Sequence, residues 1–515
     1  MDFLPVKLLF SPVRIAFLII WFYLCMYLVQ RFEFSPIVPK RLKASMNALM
    51  LVFGPFVLFV FIAAEAAAKI LRQGVPFADA VKSAFHRAGQ IVDVSHFAGS
   101  RSKNSLVLLD SSGKDMFEVF GGGKEKSDRS AIEHTHLLIA NALDELASDI
   151  LIDPISGETF SVRYRVDGML RTVEEIDFRK CAAIVNSIKA VSSMDIAERR
   201  RPQDGAFIAK TPDGNVSFRV ASAGVLHGEK LSIRILNIAA KHLSIADVGM
   251  SERYQQLVRE TISHQQGMIL VCGPTGSGKS TTMQAMLCEL DFNSRNVITI
   301  EDPIEYVLPQ ASQIEINPKA DITFAKALRS VLRQDPDVIS VGEIRDAETA
   351  SVALSASQTG HLVLATLHSS SNAATIVRLM DLGIKPLLIS SAVDLIISQR
   401  LVRKLCPRCN AVAELTETQI ARFQQSKVDM SKIMQAKGCE YCNNTGYKGR
   451  IGIFDMMVVD EAVKAQILSD NFSVSNFKNI GDENYKTNLR KQALKLAFAG
   501  VTSLAEVKRV TSNLG

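Results

Sequence analysis

The stretch that most limits what this chain can fold into is GPTGSGKST, residues 273–281. Residues 273–280 fit the pattern GxxxxGK[ST]. In that pattern the glycines let successive backbone N–H groups turn inward and cradle phosphate oxygens. A helix behind the loop adds its positive N-terminal end. Lys279 is placed to reach the β- and γ-phosphates of a nucleoside triphosphate, and Ser280 to coordinate Mg²⁺. The pattern alone has false positives, so its context decides. "GMILVCG" before the loop reads as a buried strand, and "KSTTMQAMLCEL" continues from it as a helix. That strand–loop–helix order makes Gly273, Pro274, Thr275, Gly276, Ser277, Gly278, Lys279, Ser280 and Thr281 the candidate nucleotide site, with ATP and Mg²⁺ as ligands.

The surrounding sequence repeats the alternation. "NVITIED", "VISVGE" and "HLVLATLH" are short β-rich runs separated by helical stretches. They imply a mostly parallel sheet covered by helices on both faces. In such sheets ligands sit beyond the strand C-termini. An ATPase needs acidic groups there, to hold the metal and orient water. Glu343 ends one run, as the metal-side acid of a second nucleotide motif. Glu301 and Asp302 end another. His368 comes after "LATL"; a lone histidine is more often structural, but at this strand end it can contact the γ-phosphate or the acids.

Upstream, a helical stretch in "AIEHTHLLIANALDELASDI" carries Ile132, Leu137, Ala140, Leu143 and Ala147 at helical spacing. Strands are expected at "TFSVRYRVDGML", "GAFIAK", "NVSFRVAS" and "KLSIRILN", with a helix over about 179–191 between the first two. This is an α+β unit. Charge on a transferring phosphoryl group favours an arginine supplied by a neighbouring domain or subunit. Arg219 and Arg234 lie on predicted strands, and Arg163 and Arg165 in "VRYRVDG". For any one of them alone a surface ion pair is the commoner role.

Four of the eight cysteines form "CPRC" and "CEYC": Cys406, Cys409, Cys439 and Cys442. A nucleotide-binding core implies the cytosol, where disulfides are not maintained. Two CxxC turns then read as a tetrahedral Zn²⁺ site. Four thiolates leave no open position, so the role is structural.

The chain opens with two apolar stretches, residues 15–29 and 48–64, both near the lower limit for a membrane span of about 17 residues. They are expected to form a membrane hairpin, although the basic residues between them complicate its orientation. "SLVLLDSSGKDMFEVF" reads as strand, turn, strand, and "GGGKEKSD" as a polar joint. The 515 residues exceed one core. The expected division is 1–75 membrane hairpin, 76–126 linker and small β region, 127–240 α+β subdomain, 241–400 P-loop domain, and 401–515 C-terminal region with the zinc module at 401–455. The net charge of +6, with 22% charged residues, gives none of the clustered basic footprint expected of a nucleic-acid binder.

Taken together, "RYRVDG", "PQDG", "HGEKLSIRIL", "GPTGSGKST", "TIEDPIEY", "QDPDVISVGEIRDAETA", "TGHLVLATLHS", "SQRLVRKLC" and "CNNTGYKGRIGIFD", in this order, resemble the secretion ATPases that power type II secretion and type IV pilus assembly. The resemblance covers about residues 127–515. It implies an α/β fold with a RecA-like P-loop core, a preceding α+β (PAS-like) domain and a four-cysteine zinc module, to which the apolar N-terminus would add membrane helices. It implies a homo-hexamer with ATP between the two domains, Glu301 helping to activate water, Glu343 acting near Mg²⁺, and Arg219 and Arg234 as arginine fingers. The partner it implies is an inner-membrane platform protein, at the cytoplasmic face of the bacterial inner membrane, with no nucleic acid. The zinc module favours the assembly and secretion branch over retraction-type and conjugation relatives.

The chain departs from the family pattern at "SDILIDP", where Leu151 and Asp153 replace the usual run, at "PQDGAF", where Ala206 replaces an arginine, and at "TLHSS" for "TLHTN". No phosphate-handling residue is lost. A nucleic-acid translocating ATPase and a non-hydrolysing structural ring are the alternatives; intact Lys279, Ser280, Glu301 and Glu343 argue against the second.

Overall fold

The computed structural model describes residues 106–119, 126–212, 214–236, 243–426, 428–469 and 488–512. Both apolar N-terminal stretches lie outside the described residues. Among the described residues, no helix is long and apolar enough to cross a membrane.

The first sheet has seven strands: β1 (Val107–Leu109), β2 (Asp149–Pro154), β3 (Thr159–Val166), β4 (Met169–Asp177), β5 (Gln203–Thr211), β6 (Gly214–Val225) and β7 (Gly228–Leu236). They lie in the order β1-β5-β6-β7-β2-β3-β4, all neighbours antiparallel. Alternation in each strand sends Ile150, Val162, Phe218 and Ile233 into one core with the helices Lys126–Asp144 and Phe178–Val191. The opposite face keeps the charged residues.

Two expectations fail locally here. The second strand expected after the Ser-Gly turn is instead a short helix, Met116–Val119. Asp110 Oδ1 accepts the backbone N–H groups of Ser112 and Lys114, both at 2.9 Å, which tightens the turn, and the helix after it buries Met116 completely. In the helix Lys126–Asp144, Leu137 is 57% exposed. The buried stripe runs through Ile132, Thr135 and Ile139 instead, because Thr135 Oγ1 satisfies itself on Ala131 O and on Ser187 Oγ of the facing helix, both at 2.9 Å.

The second sheet is built from β8 (Gly267–Cys272), β9 (Val297–Glu301), β10 (Ser312–Glu315), β11 (Val338–Val341), β12 (Leu362–Leu367), β13 (Val393–Leu405) and β16 (Tyr447–Val458). Their order is β10-β9-β11-β12-β8-β13-β16. All pair in parallel except β16, which runs antiparallel to β13. Every residue of β8, β11 and β12 is buried. Successive residues feed opposite cores: Met268, Leu270 and Cys272 one, Ile269 and Val271 the other. Helices therefore cover both faces, as the continuous apolar runs predict. β13 runs through residue 400, and its antiparallel partner β16 returns after the four-cysteine segment. That segment, with the two-strand pair β14 (Asn410–Val412) and β15 (Met434–Ala436), is an excursion between two strands of the sheet.

Candidate functional site

The parallel strands deliver their C-terminal ends to one edge. Leu367 of β12 and Ser398 of β13 are both register partners of Cys272, the last residue of β8, while Val341 of β11 pairs with Ile300 of β9. Beyond the strand ends at this edge lie the glycine loop, the acids and the histidine.

The glycine loop leaves β8 and leads into the helix Lys279–Leu287. Gly276 and Gly278 have φ of +75° and +87°, a region that costs any residue with a Cβ. A Cβ on Gly278 would also meet Gln399 Nε2 at 2.9 Å, so β13 braces the loop from beneath. Lys279 is buried and its Nζ donates to the carbonyls of Gly273 and Pro274, at 3.0 and 3.3 Å. Burial pulls its pKa down, opposed by the charge of Glu343. Among the described residues, the buried Ser277 Oγ has no hydrogen-bond partner. Ser280 is exposed in the first helical turn, and Thr281 Oγ1 lies 3.3 Å from Tyr306 OH.

Glu301 ends β9. Its Oε1 accepts Thr299 Oγ1 at 2.7 Å and Gln313 Nε2 at 2.9 Å. Gln313 also donates to Tyr306 O and accepts Leu308 N, so one side chain ties the acid to the loop after it. Glu343, two residues past β11, has both oxygens engaged. Arg345 Nε donates to Oε2 at 2.7 Å, and His368 Nε2 lies 3.0 Å from Oε1. Arg345 also reaches Asp302, 3.5 Å away. Burial, followed by the charge of Lys279, lowers the His368 pKa against the pull of Glu343, which favours the neutral ring. The structure thus gathers the glycine loop, Glu301, Asp302, Glu343 and His368 at one edge. Thr299, Gln313, Arg345 and Tyr306, which hold them, do not stand out from the sequence. All but Gln313 lie in motifs quoted above, and their signal is a polar residue within a few positions of an acid.

The arginines sit elsewhere. Ala206, Arg219, Arg234, Asp149 and Arg165 form one row of directly opposed positions across β5, β6, β7, β2 and β3. Asp149 lies 3.4 Å from Arg234 and 3.2 Å from Arg165, while Arg163 pairs with Asp153. Arg219 leaves its own sheet: its Nη2 lies 3.4 Å from Glu315 of β10. Glu315 is the register partner of Glu301. A second bridge between the sheets joins Asp167, in the β3–β4 turn, to Gly449 N at 2.8 Å and to Arg450 at 3.7 Å.

The four cysteine sulfurs lie within 4.8 Å of one another. Cys406–Cys439, Cys409–Cys442 and Cys439–Cys442 are separated by 3.9, 3.7 and 3.8 Å. A tetrahedral zinc with Zn–S bonds of about 2.3 Å needs sulfurs about 3.8 Å apart, whereas a disulfide needs about 2.05 Å. Burial raises the Cys442 thiol, but the N–H groups of Cys439 and Gly446 and the neighbouring cysteines outweigh it and hold the pKa at about 6. The donor set fits zinc, and four thiolates complete a tetrahedral shell.

A family model described as "Type II/IV secretion system protein" matches residues 124–509. Type II secretion system protein E of Aeromonas hydrophila is 41% identical over 384 residues, 75% of this chain and 76% of that one. The type IV pilus assembly ATPase PilB of Acinetobacter baylyi is 38% identical over 394 residues, 76% of this chain and 68% of that one. Among solved structures, the Legionella pneumophila ATPase DotB shares the fold, with a TM-score of 0.54 at 22% identity over 73% of this chain and 95% of its own.

Proposed function

Because this chain belongs to the type II/IV secretion system protein family, we propose that it is a hexameric, Mg²⁺-dependent ATPase motor. That it is a secretion ATPase follows from the family and the relatives. The work assigned to it is assembly of a type II pseudopilus or a type IV pilus, through an inner-membrane platform protein at the cytoplasmic face.

The observation that carries this reading is the meeting of the glycine loop with Glu301, Glu343 and His368 at one sheet edge. Lys279 binds the β- and γ-phosphates of ATP. Ser280 and Glu343 offer the oxygen-only donors that suit Mg²⁺, which would neutralise charge developing on the phosphates. Glu301, fixed by Thr299 and Gln313, orients the attacking water. His368 keeps Glu343 in place. Arg219 and Arg234 come from the other sheet, where closure of one domain on the other can bring their charge to the transferring phosphoryl group. The Arg219–Glu315 and Asp167–Gly449 contacts support a coupling of that closure to the nucleotide. The cysteine module holds zinc as a structural clamp on the segment between β13 and β16.

Phosphate release by the full-length protein with Mg-ATP, with and without single-stranded DNA, tests the reading. Hydrolysis that DNA leaves unchanged and Lys279→Ala abolishes supports it. Strong stimulation by DNA would favour a nucleic-acid translocase instead.

A further inference from the structure

The motif "SQRLVRKLC" has no role in the proposed mechanism, yet it supplies the strand next to β8. Ser398 is the last residue of β13 to pair with β8, so Gln399 and Arg400 continue beyond the strand end, level with the glycine loop. Side chains alternate there. Gln399 turns to the loop, its carbonyl 2.7 Å from where a Cβ on Gly273 would lie and its amide against Gly278. Arg400 turns to the other face and bridges to the segment after β12: its Nη2 donates to Ser370 O at 3.0 Å and its Nη1 to Gln399 O at 2.9 Å.

The guanidinium is half-buried, and both of these hydrogen-bond partners are neutral carbonyls. Among the described residues no carboxylate lies within ion-pair distance of it. Lys189 has Glu229 at 2.7 Å and Arg403 has Glu506 at 2.7 Å, whereas half-buried Arg295, like Arg400, rests on backbone carbonyls. A cation withdrawn from water without an anion is costly. Burial lowers the Arg400 pKa, and Lys279 in turn feels the charge of Arg400. Arg400 Nη1 bonds the same Gln399 carbonyl that lies against Gly273, and Lys279 Nζ bonds Gly273 O, so buried Lys279 and half-buried Arg400 both adjoin the glycine loop at the edge where phosphates are expected.

We propose that Arg400 is a phosphate-contacting residue, supplied by the same chain as the glycine loop, and that its ligand is the terminal phosphate of the bound nucleoside triphosphate. The γ end is assigned because Arg400 is tied to Ser370, two residues after His368, and His368 touches Glu343. Arg400 is thus joined to the segment after β12 that carries the partner of Glu343. The same tie lets the guanidinium report the phosphate to the His368 segment. This inference rests on the ATPase reading above, which uses Arg219 and Arg234 and leaves Arg400 without a role.

The test measures binding to full-length protein by calorimetry, using an ATP analogue with an imido β–γ bridge and ADP, in Mg²⁺. Wild type, Arg400→Gln, Arg400→Lys and Lys279→Ala are compared. Arg400→Gln is expected to weaken the analogue at least tenfold and ADP less than twofold, with Arg400→Lys recovering part of the loss because it keeps the charge. Equal losses for both nucleotides, or none for either, would overturn the inference: the first would make Arg400 a brace for the loop, the second a bystander. If wild type binds neither nucleotide, or Lys279→Ala binds both as tightly as wild type, the ATPase reading itself fails.

Discussion

His368 Nε2 lies 3.0 Å from Glu343 Oε1, while the other oxygen of the same carboxylate takes Arg345. The histidine takes the second oxygen of an acid that stands two residues beyond its strand. Its polar contact is with the acid. Its removal should therefore disturb turnover more than binding.

For His368→Ala, the expected result is a fall in kcat of about 10²-fold, the cost of a catalytic group displaced by about 1 Å. The affinity for ATP should stay within a factor of a few. Steady-state kinetics beside direct binding checks this. A large loss of ATP affinity with kcat preserved would mean that His368 works on the nucleotide instead.

Asp455, on β16, is the half-buried end of a chain of polar contacts. Its Oδ2 lies 3.2 Å from Asn372 Nδ2, Ser398 donates to Asn372 Oδ1 at 2.6 Å, and Cys272 Sγ lies 3.0 Å from Ser398. Burial pushes its pKa up to about 7. The folded state then holds a proton that the unfolded chain loses near pH 4. Its contribution to stability is present below about pH 4 and is lost as pH rises, at about 1.4 kcal/mol per unit, until about 7. Asp455→Asn should remove that slope and be the more stable protein above neutrality. Urea unfolding at a series of pH values reads it, and parallel pH profiles for the two proteins would contradict it.

The pair Lys189–Glu229 is almost completely withdrawn from solvent, and Lys189 Nζ also donates to Glu198 O at 2.6 Å. Lys189→Met strands Glu229 and should cost about 3–5 kcal/mol. Lys189→Met with Glu229→Leu should recover most of it. A single-variant loss below about 1 kcal/mol in urea unfolding would show that water reaches the site.

Metal analysis of the purified protein should find one zinc per chain, and Cys442→Ser should lose it. Because four thiolates hold such segments together, the amides of residues 406–446 should lose protection from hydrogen exchange while those of the helix Lys279–Leu287 keep theirs. Unchanged protection in a metal-free protein would contradict a structural zinc.

Much of this was legible in the sequence because the signals were local. A GxxxxGK[ST] between an apolar run and a helix, acids at the ends of β9 and β11, and paired CxxC turns each declare themselves within a dozen residues. What escaped depends on partners distant in sequence. Thr135 displaced Leu137 from the buried stripe because Ser187 faces it, 52 positions away. Gln313 could not be assigned to Glu301 without the parallel β9–β10 register. The link from Arg219 to Glu315 crosses two sheets and 96 positions. Gln399 and Arg400 stand in the sequence only within the motif "SQRLVRKLC", and their place beside the glycine loop follows from the pairing of β13 with β8.

The most direct test of the central claim is phosphate release by the full-length protein, measured with nucleotide binding on the same samples, for wild type, Lys279→Ala and Glu301→Gln. If ATP hydrolysis runs through the site at the ends of β8, β9 and β11, Lys279→Ala loses both binding and release, whereas Glu301→Gln binds ATP as wild type does and releases no phosphate. Glu301→Gln hydrolysing at the wild-type rate would contradict the account.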